Sequence, residues 1–294
     1  MQVIDNISEL RSARAALSGR IGLVPTMGAL HDGHLSLVRA AQQANDAVIV
    51  TIFINPAQFA ADEDLSKYPR DLPGDLDKLA AAGVDLVFTP TPDVMYPPGF
   101  QTWVNVTQVS QGLEGAARPD HFRGVATVVS KLFNLTQPQA AYFGQKDAQQ
   151  VVVVKRMTHD LNFPLKIVVC PTAREIDGLA LSSRNVYLSP EQRAAVPVLY
   201  QSLNMAAKLY EQGERSPVEL RRRIQAMISE QPLAQLEYVS VADAATLHEL
   251  DTSSDMPMLV SLTARFGMTR LLDNMLLPVH LNTQEGLTAV LGGL

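Results

Sequence analysis

The strongest constraint on the fold is an alternation. Through its first 175 residues the chain switches repeatedly between short aliphatic runs and amphipathic stretches. Ile21 to Pro25, Ala47 to Ile54, Asp85 to Thr89, Ala140 to Phe143 and Leu165 to Cys170 read as strands. His34 to Ala44, Leu76 to Ala82 (closed by Gly83) and Val125 to Leu135 read as helices between them. Aliphatic strands separated by amphipathic helices imply βαβ units, hence a parallel sheet covered on both faces. Gln150 to Met157 carries four consecutive valines, which favour a strand locally. Its Val153, Met157 and Leu161 keep a helical spacing, so it reads as a buried helix with Asp147 as N-cap.

The pattern changes afterwards. Ser189-Pro190-Glu191-Gln192 and Ser216-Pro217-Val218-Glu219 are helix starts, with Ser as N-cap and Pro at the first helical position. The first helix is expected to run to Gln212, with a kink at Pro197 and Gly213 as its stop. The second presents an apolar face of Leu220, Ile224, Met227 and Ile228. Strand-like runs follow at Glu237 to Ala242, Met258 to Ala264 and Thr269 to Leu277. The expectation is a Rossmann-like, doubly wound α/β domain over residues 1–175 and a smaller α+β domain over 176–294, joined near Glu175 to Asn185. The tail beyond His280 gives no pattern.

Composition narrows the functional classes. There are 15 basic against 18 acidic residues up to Asp177 and 9 against 12 beyond it, so both parts are mildly acidic. That argues against nucleic acid or an anionic membrane as the partner, since phosphate-backbone affinity comes from clustered Lys and Arg. A single cysteine, Cys170, excludes an internal disulfide and a Cys-rich zinc site. No signal peptide is read at the N-terminus, and no apolar run is long enough to span a bilayer. A cytoplasmic location is expected.

The chemistry-bearing residues cluster at strand ends. Pro25-Thr26-Met27-Gly28-Ala29-Leu30-His31-Asp32-Gly33-His34 follows the strand at Ile21 and opens a helix. Its glycines allow close backbone approach, the helix N-terminus favours an anion, and two histidines three positions apart can address one phosphate chain. Phe143-Gly144-Gln145-Lys146-Asp147 repeats the strand–glycine–helix arrangement with a lysine as a point charge for phosphate. Asp177 to Asn185 offers Ser182, Ser183 and Arg184 in one loop. Asn55-Pro56-Ala57-Gln58 lies beyond the second strand, where Asn55 also suits a turn, and His121-Phe122-Arg123-Gly124 precedes a helix. Each piece alone fits a surface turn.

In this order, with Tyr68-Pro69-Arg70, Gln150 and the closing Gly267-Met268-Thr269-Arg270-Leu271-Leu272-Asp273-Asn274, the set resembles the pantoate–β-alanine ligase family from about Ile21 to about Leu277. Two other readings share parts of the pattern: a different nucleotidyltransferase of the His-x-Gly-His group, and an aminoacyl-tRNA-synthetase-like RNA-binding module. Gln58, Gln150 and the Ser-Ser-Arg loop favour the ligase over the first, and the even charge split counts against the second.

The resemblance implies an ATP-dependent condensation of pantoate with β-alanine to pantothenate, through a pantoyl adenylate, with AMP and pyrophosphate released. It implies that His34, His31, Lys146 and Arg184 are catalytic. It implies an ATP site of Pro25, Thr26, Met27, Gly28, His31, Gly33, His34, Gly144, Lys146, Asp147, Ala173, Leu181, Ser182, Ser183 and Arg184. Gln58, Gln150, Asn55, Tyr68 and Arg123 would hold the other substrates. Mg²⁺ would bridge phosphate oxygens, with Asp75 as a metal-ligand candidate, and the assembly would be a homodimer. The smaller domain would act as a lid over the site. The chain departs from the family pattern at Gln145, where glutamate is frequent, at Gly74-Asp75, where an acidic pair is frequent, and at Ala173, where a larger apolar residue is common.

Overall fold

A computed structural model describes residues 1–59 and 65–293. The element order is β1 (Gln2–Ile4), α1 (Ile7–Ala16), β2 (Ile21–Thr26), α2 (Asp32–Ala44), β3 (Ala47–Ile52), α3 (Leu72–Ala81), β4 (Leu86–Phe88), short helices α4 (Pro92–Met95) and α5 (Glu114–Ala117), α6 (His121–Thr136), β5 (Ala140–Gly144), α7 (Ala148–Asp160) and β6 (Lys166–Cys170). There follow α8 (Pro190–Ala195), α9 (Val198–Glu211), α10 (Pro217–Ser229), β7 (Ala234–Asp243), β8 (Met258–Phe266), β9 (Thr269–Leu277) and α11 (Gln284–Val290). These form two compact units, 1–143 with 153–170 and 144–152 with 171–294. The short stretch 144–152 therefore groups with the C-terminal unit, which a single cut at residue 175 does not express.

The first unit is built on a six-stranded parallel sheet of order β1-β4-β3-β2-β5-β6, the doubly wound arrangement expected from the alternation. Strand β2 pairs with β3 from Ile21↔Ala47 to Thr26↔Ile52, and with β5 at Gly22↔Ala140 and Leu23↔Ala141. The chain leaves β2 towards β3 on one side and returns to β5 on the other. The carboxyl end of β2 is thus the topological switch point, where open α/β sheets bind ligands. Strand residues Leu23, Val24, Ile49, Val50, Val87 and Ala141 are fully buried, as a sheet covered on both faces requires. Helix α6 is buried over most of its circumference, and only the narrow polar strip of Arg123, Lys131 and Asn134 stays partly open.

Helix α7 settles the ambiguous valine run. Val151 to Val154 are buried helix, their branched side chains packed in the core despite a local preference for strand. Asp147 is not its N-cap, however. It ends a 3₁₀ turn, Gln145–Asp147, that is capped by Gly144 and winds directly into α7, so the helix has no separate start for an aspartate to cap.

In the second unit, β7, β8 and β9 form an antiparallel sheet in that order, with a bulge at Leu236/Tyr238. Helices α9 and α10 cover it, and Leu220, Ile224 and Ile228 of α10 are wholly buried. Both serine starts are present. Ser189 accepts from Gln192 N (3.3 Å) while Gln192 Oε1 accepts from Ser189 N (3.0 Å), and Ser216 accepts from Glu219 N. The helix expected to run to Gln212 with a kink is instead two helices. α8 ends at Ala195, and Pro197, which has no N–H to donate, caps α9. Strand β1, helix α1 and the tail helix α11 were not anticipated from the sequence. β1 has three residues, too few to show a period, and only Leu10 of α1 and Leu287 of α11 are buried. Among the described residues no helix is long and apolar enough to cross a membrane.

Candidate active site

At the end of β2, Pro25 is a strand residue and Thr26 fastens the strand to its neighbour. Its Oγ1 donates to Thr51 O (2.7 Å) and accepts from Gly28 N (3.3 Å). The chain then turns through Gly28 at φ +84° and Ala29 at φ +50°. Glycine fits the first because an L side chain is strained there. The second is held by Asp75 on α3, whose carboxylate accepts from Ala29 N (2.8 Å) and Leu30 N (2.7 Å). Lys78 completes the clamp by donating to Leu30 O (2.8 Å).

Helix α2 then begins with a capping arrangement made of two imidazoles. His31 Nδ1 accepts from Gly33 N (3.1 Å), and His34 Nδ1 accepts from His31 N (3.3 Å). A neutral imidazole whose Nδ1 accepts carries its proton on Nε2. The cap therefore fixes the tautomer of both rings, placing two Nε2–H donors beside the positive end of a helix dipole. This is an arrangement suited to an anion.

Asp75 corrects an expectation. Both its oxygens are engaged by backbone N–H groups and it is 1% exposed, so it anchors the loop rather than facing a metal. Among the described residues no group of three or more His, Cys, Asp or Glu side chains is placed to hold a cation.

A second group lies beyond β3 in the same unit. Asn55 caps the 3₁₀ turn Pro56–Gln58, accepting from Ala57 N (3.2 Å) and from Tyr96 Oη (2.7 Å). Its Nδ2 donates to Gln58 Oε1 (3.1 Å) and Gly124 O (3.1 Å), while Gln58 Nε2 donates to Met27 Sδ (3.1 Å). Turn chemistry and a positioned amide are thus both present, and Met27, Asn55 and Gln58 are brought together. The turn also rests on α6. His121 Nδ1 lies 2.8 Å from Gln58 O, and a Cβ at Gly124 would lie 2.2 Å from Ala57 O, so only glycine allows this approach. Burial holds the Tyr96 hydroxyl well above its ordinary pKa, keeping it a donor. Arg123 is turned elsewhere, over the Trp103 ring (5.2 Å) and 3.5 Å from Asp120. Tyr68 meets the Phe59 ring edge-on at 6.0 Å between centroids. Tyr96 and His121 had no local signal as partners of Asn55 and Gln58, because these contacts span 41 and 63 positions.

The other predicted residues belong to the second unit. Gly144 caps the turn that carries Lys146 and Asp147, and Lys146 Nζ is 3.4 Å from Asp147 Oδ1. Gln150 is partly buried on the first turn of α7. Gln145 is buried, donating to Asn282 Oδ1 (2.7 Å) and accepting from Thr172 N (3.4 Å). Glutamine supplies both functions in one side chain, which an ionised glutamate cannot. Ala173 O accepts from Leu181 N (2.9 Å), closing a hairpin that also bridges Arg174 to Ala180. It leads into Ser182, whose Oγ accepts from Arg184 N (3.3 Å) and caps the 3₁₀ helix Ser183–Tyr187. Lys146 and Ser182 line one recess of this unit together with Tyr200 and Asp273. Arg193 holds the hairpin tip, donating to Asp177 and Glu175 at 2.6 Å each, and its hydrogen bond keeps the Asp177 carboxyl below the usual range.

Comparison with known proteins agrees with this geometry. The family model described as pantoate-beta-alanine ligase matches residues 2–276. A protein named pantothenate synthetase from Roseiflexus sp. (strain RS-1) is 59% identical over 94% of this chain and 99% of its own length. One of the same name from Moorella thermoacetica is 50% identical over 95% of this chain and all of its own. The crystal structure of the pantothenate synthetase from Thermus thermophilus matches with TM-score 0.89 at 46% identity, covering 94% of this chain and 99% of that one. A pantoate-beta-alanine ligase from Francisella tularensis, crystallised with beta-gamma ATP and beta-alanine, matches with TM-score 0.78 at 36% identity, covering 94% and 97%. By family model, by identity along almost its whole length and by fold, the chain belongs to the pantoate–β-alanine ligase family.

Proposed function

We propose that this chain joins pantoate to β-alanine in two steps. The pantoate carboxylate attacks the α-phosphorus of ATP, forming pantoyl adenylate as the bond to pyrophosphate breaks. The amine of β-alanine then attacks the acyl carbon, AMP leaves, and the proton released from the amine passes to solvent. The observation that carries this reading is the pair of Nε2–H donors fixed by the His31/His34 cap at the switch point of the sheet. Support comes from the ATP and β-alanine in the name of the Francisella complex.

A carboxylate is already ionised at pH 7, so the first step needs alignment and charge stabilisation rather than a general base. His34 and His31 would donate to phosphate oxygens as charge builds on them. Lys146, Ser182, Ser183 and Arg184 would address the triphosphate, with Gly144, Asp147, Ala173 and Leu181 around the adenosine. Gln58, held by Asn55 and Met27, would orient pantoate together with Gln150. The described side chains form no cage for Mg²⁺, and Asp75 is committed to the backbone. Magnesium would therefore arrive as part of the ATP substrate, held by phosphate oxygens and water, where it would neutralise phosphate charge. The smaller unit would close as a lid that keeps water from the acyl adenylate, and the family resemblance implies a homodimer.

The test supplies the purified chain with Mg²⁺, ATP, pantoate and β-alanine. AMP and pyrophosphate in equal amounts, with AMP release dependent on β-alanine, are expected. ADP and inorganic phosphate as products would refute the adenylate route. Light scattering on a sizing column reads the oligomeric state, and solution scattering with and without ATP reads closure.

A further inference from the structure

The Leu271-Leu272-Asp273-Asn274 segment of β9 has no role in the mechanism above, yet it reaches both loops assigned to phosphate in the second unit. Asn274 is 3% exposed, and its Nδ2 donates to two consecutive carbonyls, Gln145 O (3.0 Å) and Lys146 O (2.8 Å). Both N–H bonds of the amide are thus directed at the backbone that carries Lys146. Its Oδ1 is buried without a hydrogen-bond partner. An amide with one unsatisfied buried atom is costly where an aliphatic side chain would fill the same space, so its NH₂ group is what the position requires. The neighbouring Asp273 acts on the other loop. It holds Arg174 through two hydrogen bonds, 2.6 and 2.8 Å, and accepts from Asn274 N (2.8 Å). Arg174 in turn donates to Gly178 O (3.0 Å), lies over the Tyr200 ring (4.1 Å) and bridges to Ala180, two residues before Ser182.

We propose that Asn274 is a positioning residue for Lys146: it sets the peptides on either side of the lysine so that the ammonium meets the triphosphate. Asn274 is buried at mid-length of the edge strand β9, where the ladder to β8 pairs it with the buried Ser261, so the anchor is held by the sheet's own hydrogen bonds. A single N–H donor would leave the loop free to pivot about one hydrogen bond; two donors on one planar group fix both its position and its tilt. The proposal rests on the reading of Lys146 as a triphosphate contact.

A double-mutant cycle on the full-length chain separates the two. ATP and adenosine dissociation constants are measured for the parent, Lys146→Ala, Asn274→Ala and the double variant. Asn274→Ala should weaken ATP by about fivefold or more, leave adenosine within about twofold, and add less than about twofold once Lys146 is already alanine. Asn274→Leu has nearly the same size, no donor and no charge to bury against the two carbonyls, and should behave alike if the alanine variant fails to fold. Ser261→Ala, at the same depth in the sheet, should leave ATP affinity unchanged. Full additivity in the cycle, equal weakening of adenosine, or parent-like ATP binding by both Asn274 variants would overturn the positioning role while the assignment of Lys146 stands. Parent-like ATP binding by Lys146→Ala would instead remove that assignment, and the proposal with it.

Discussion

The rings of His31 and His34 lie 4.1 Å apart between centroids, tilted by 39°, and each accepts a backbone N–H through Nδ1. The same two side chains therefore start helix α2 and present its Nε2–H donors. Substitutions can separate these roles. Asparagine at position 31 can cap a helix but has no second donor on the far side of a ring, so His31→Asn should keep the unfolding midpoint near the parent while lowering the rate of adenylate formation. His34→Ala loses both functions: about 1 kcal/mol of stability and roughly 2–4 kcal/mol of first-step barrier. Thermal unfolding and single-turnover pyrophosphate release measure the two effects separately. A fully active His34→Ala would refute the assignment of the site.

Asp75 anchors the turn before that helix, and its removal should be felt in structure before metal dependence. Asp75→Ala leaves two inward-facing N–H groups, at Ala29 and Leu30, without an acceptor. The expected cost is about 1–3 kcal/mol for each group that stays buried, together with a lower kcat. The Mg²⁺ concentration giving half-maximal rate at fixed total ATP should not move. A many-fold rise in that concentration would return Asp75 to the role of metal ligand.

Gly124 lets α6 rest directly on the Asn55–Gln58 turn. A methyl group there would meet Ala57 O at 2.2 Å and Gln58 N at 2.7 Å, both backbone atoms that cannot step aside alone. Gly124→Ala should therefore displace the turn, at about 1–3 kcal/mol of overpacking cost. Because the turn carries Gln58, KM for pantoate should rise more than KM for ATP. Steady-state kinetics with each substrate varied in turn would show the split.

Burial pushes the Cys170 thiol up to about 11. Between the ordinary thiol value near 8.5 and about 11, the folded state holds more protons than the unfolded state, so this group's stabilisation is complete below the lower value and is lost as pH rises through the window. The urea midpoint should fall between pH 8 and pH 10.5 by more in the parent than in Cys170→Ala. The native thiol should also resist alkylation at pH 8. Identical pH slopes for the two proteins would remove the effect.

Legibility followed contact range. The βαβ alternation, the two serine helix starts and the final three strands are periodic or local, so a short window of sequence contains them. The break at Pro197 was visible as a disturbance but not as two helices, since that depends on how α8 and α9 pack. The His31–His34 loop was readable because its cap is made between residues three apart. The partners that hold the functional groups were not. Asp75 reaches back 45 and 46 positions and Asn274 more than 120, and nothing in the local pattern around either residue names its target. Asp75 illustrates the difficulty well: an acidic residue near a phosphate loop suggests a metal, and only the placement of Ala29 and Leu30 reveals an anchor.

Asn274 also gives the smaller unit a temporal order. It lies 128 positions after Lys146. At a synthesis rate of about 5–20 residues per second, the ribosome needs on the order of ten seconds to supply it once the lysine has been made. Until then the β5–α7 turn has its glycine and its lysine but not the two hydrogen bonds that fix them. The nascent chain can assemble the strands of its parallel sheet first, and the lysine loop takes its final form only when β9, the last strand, has arrived.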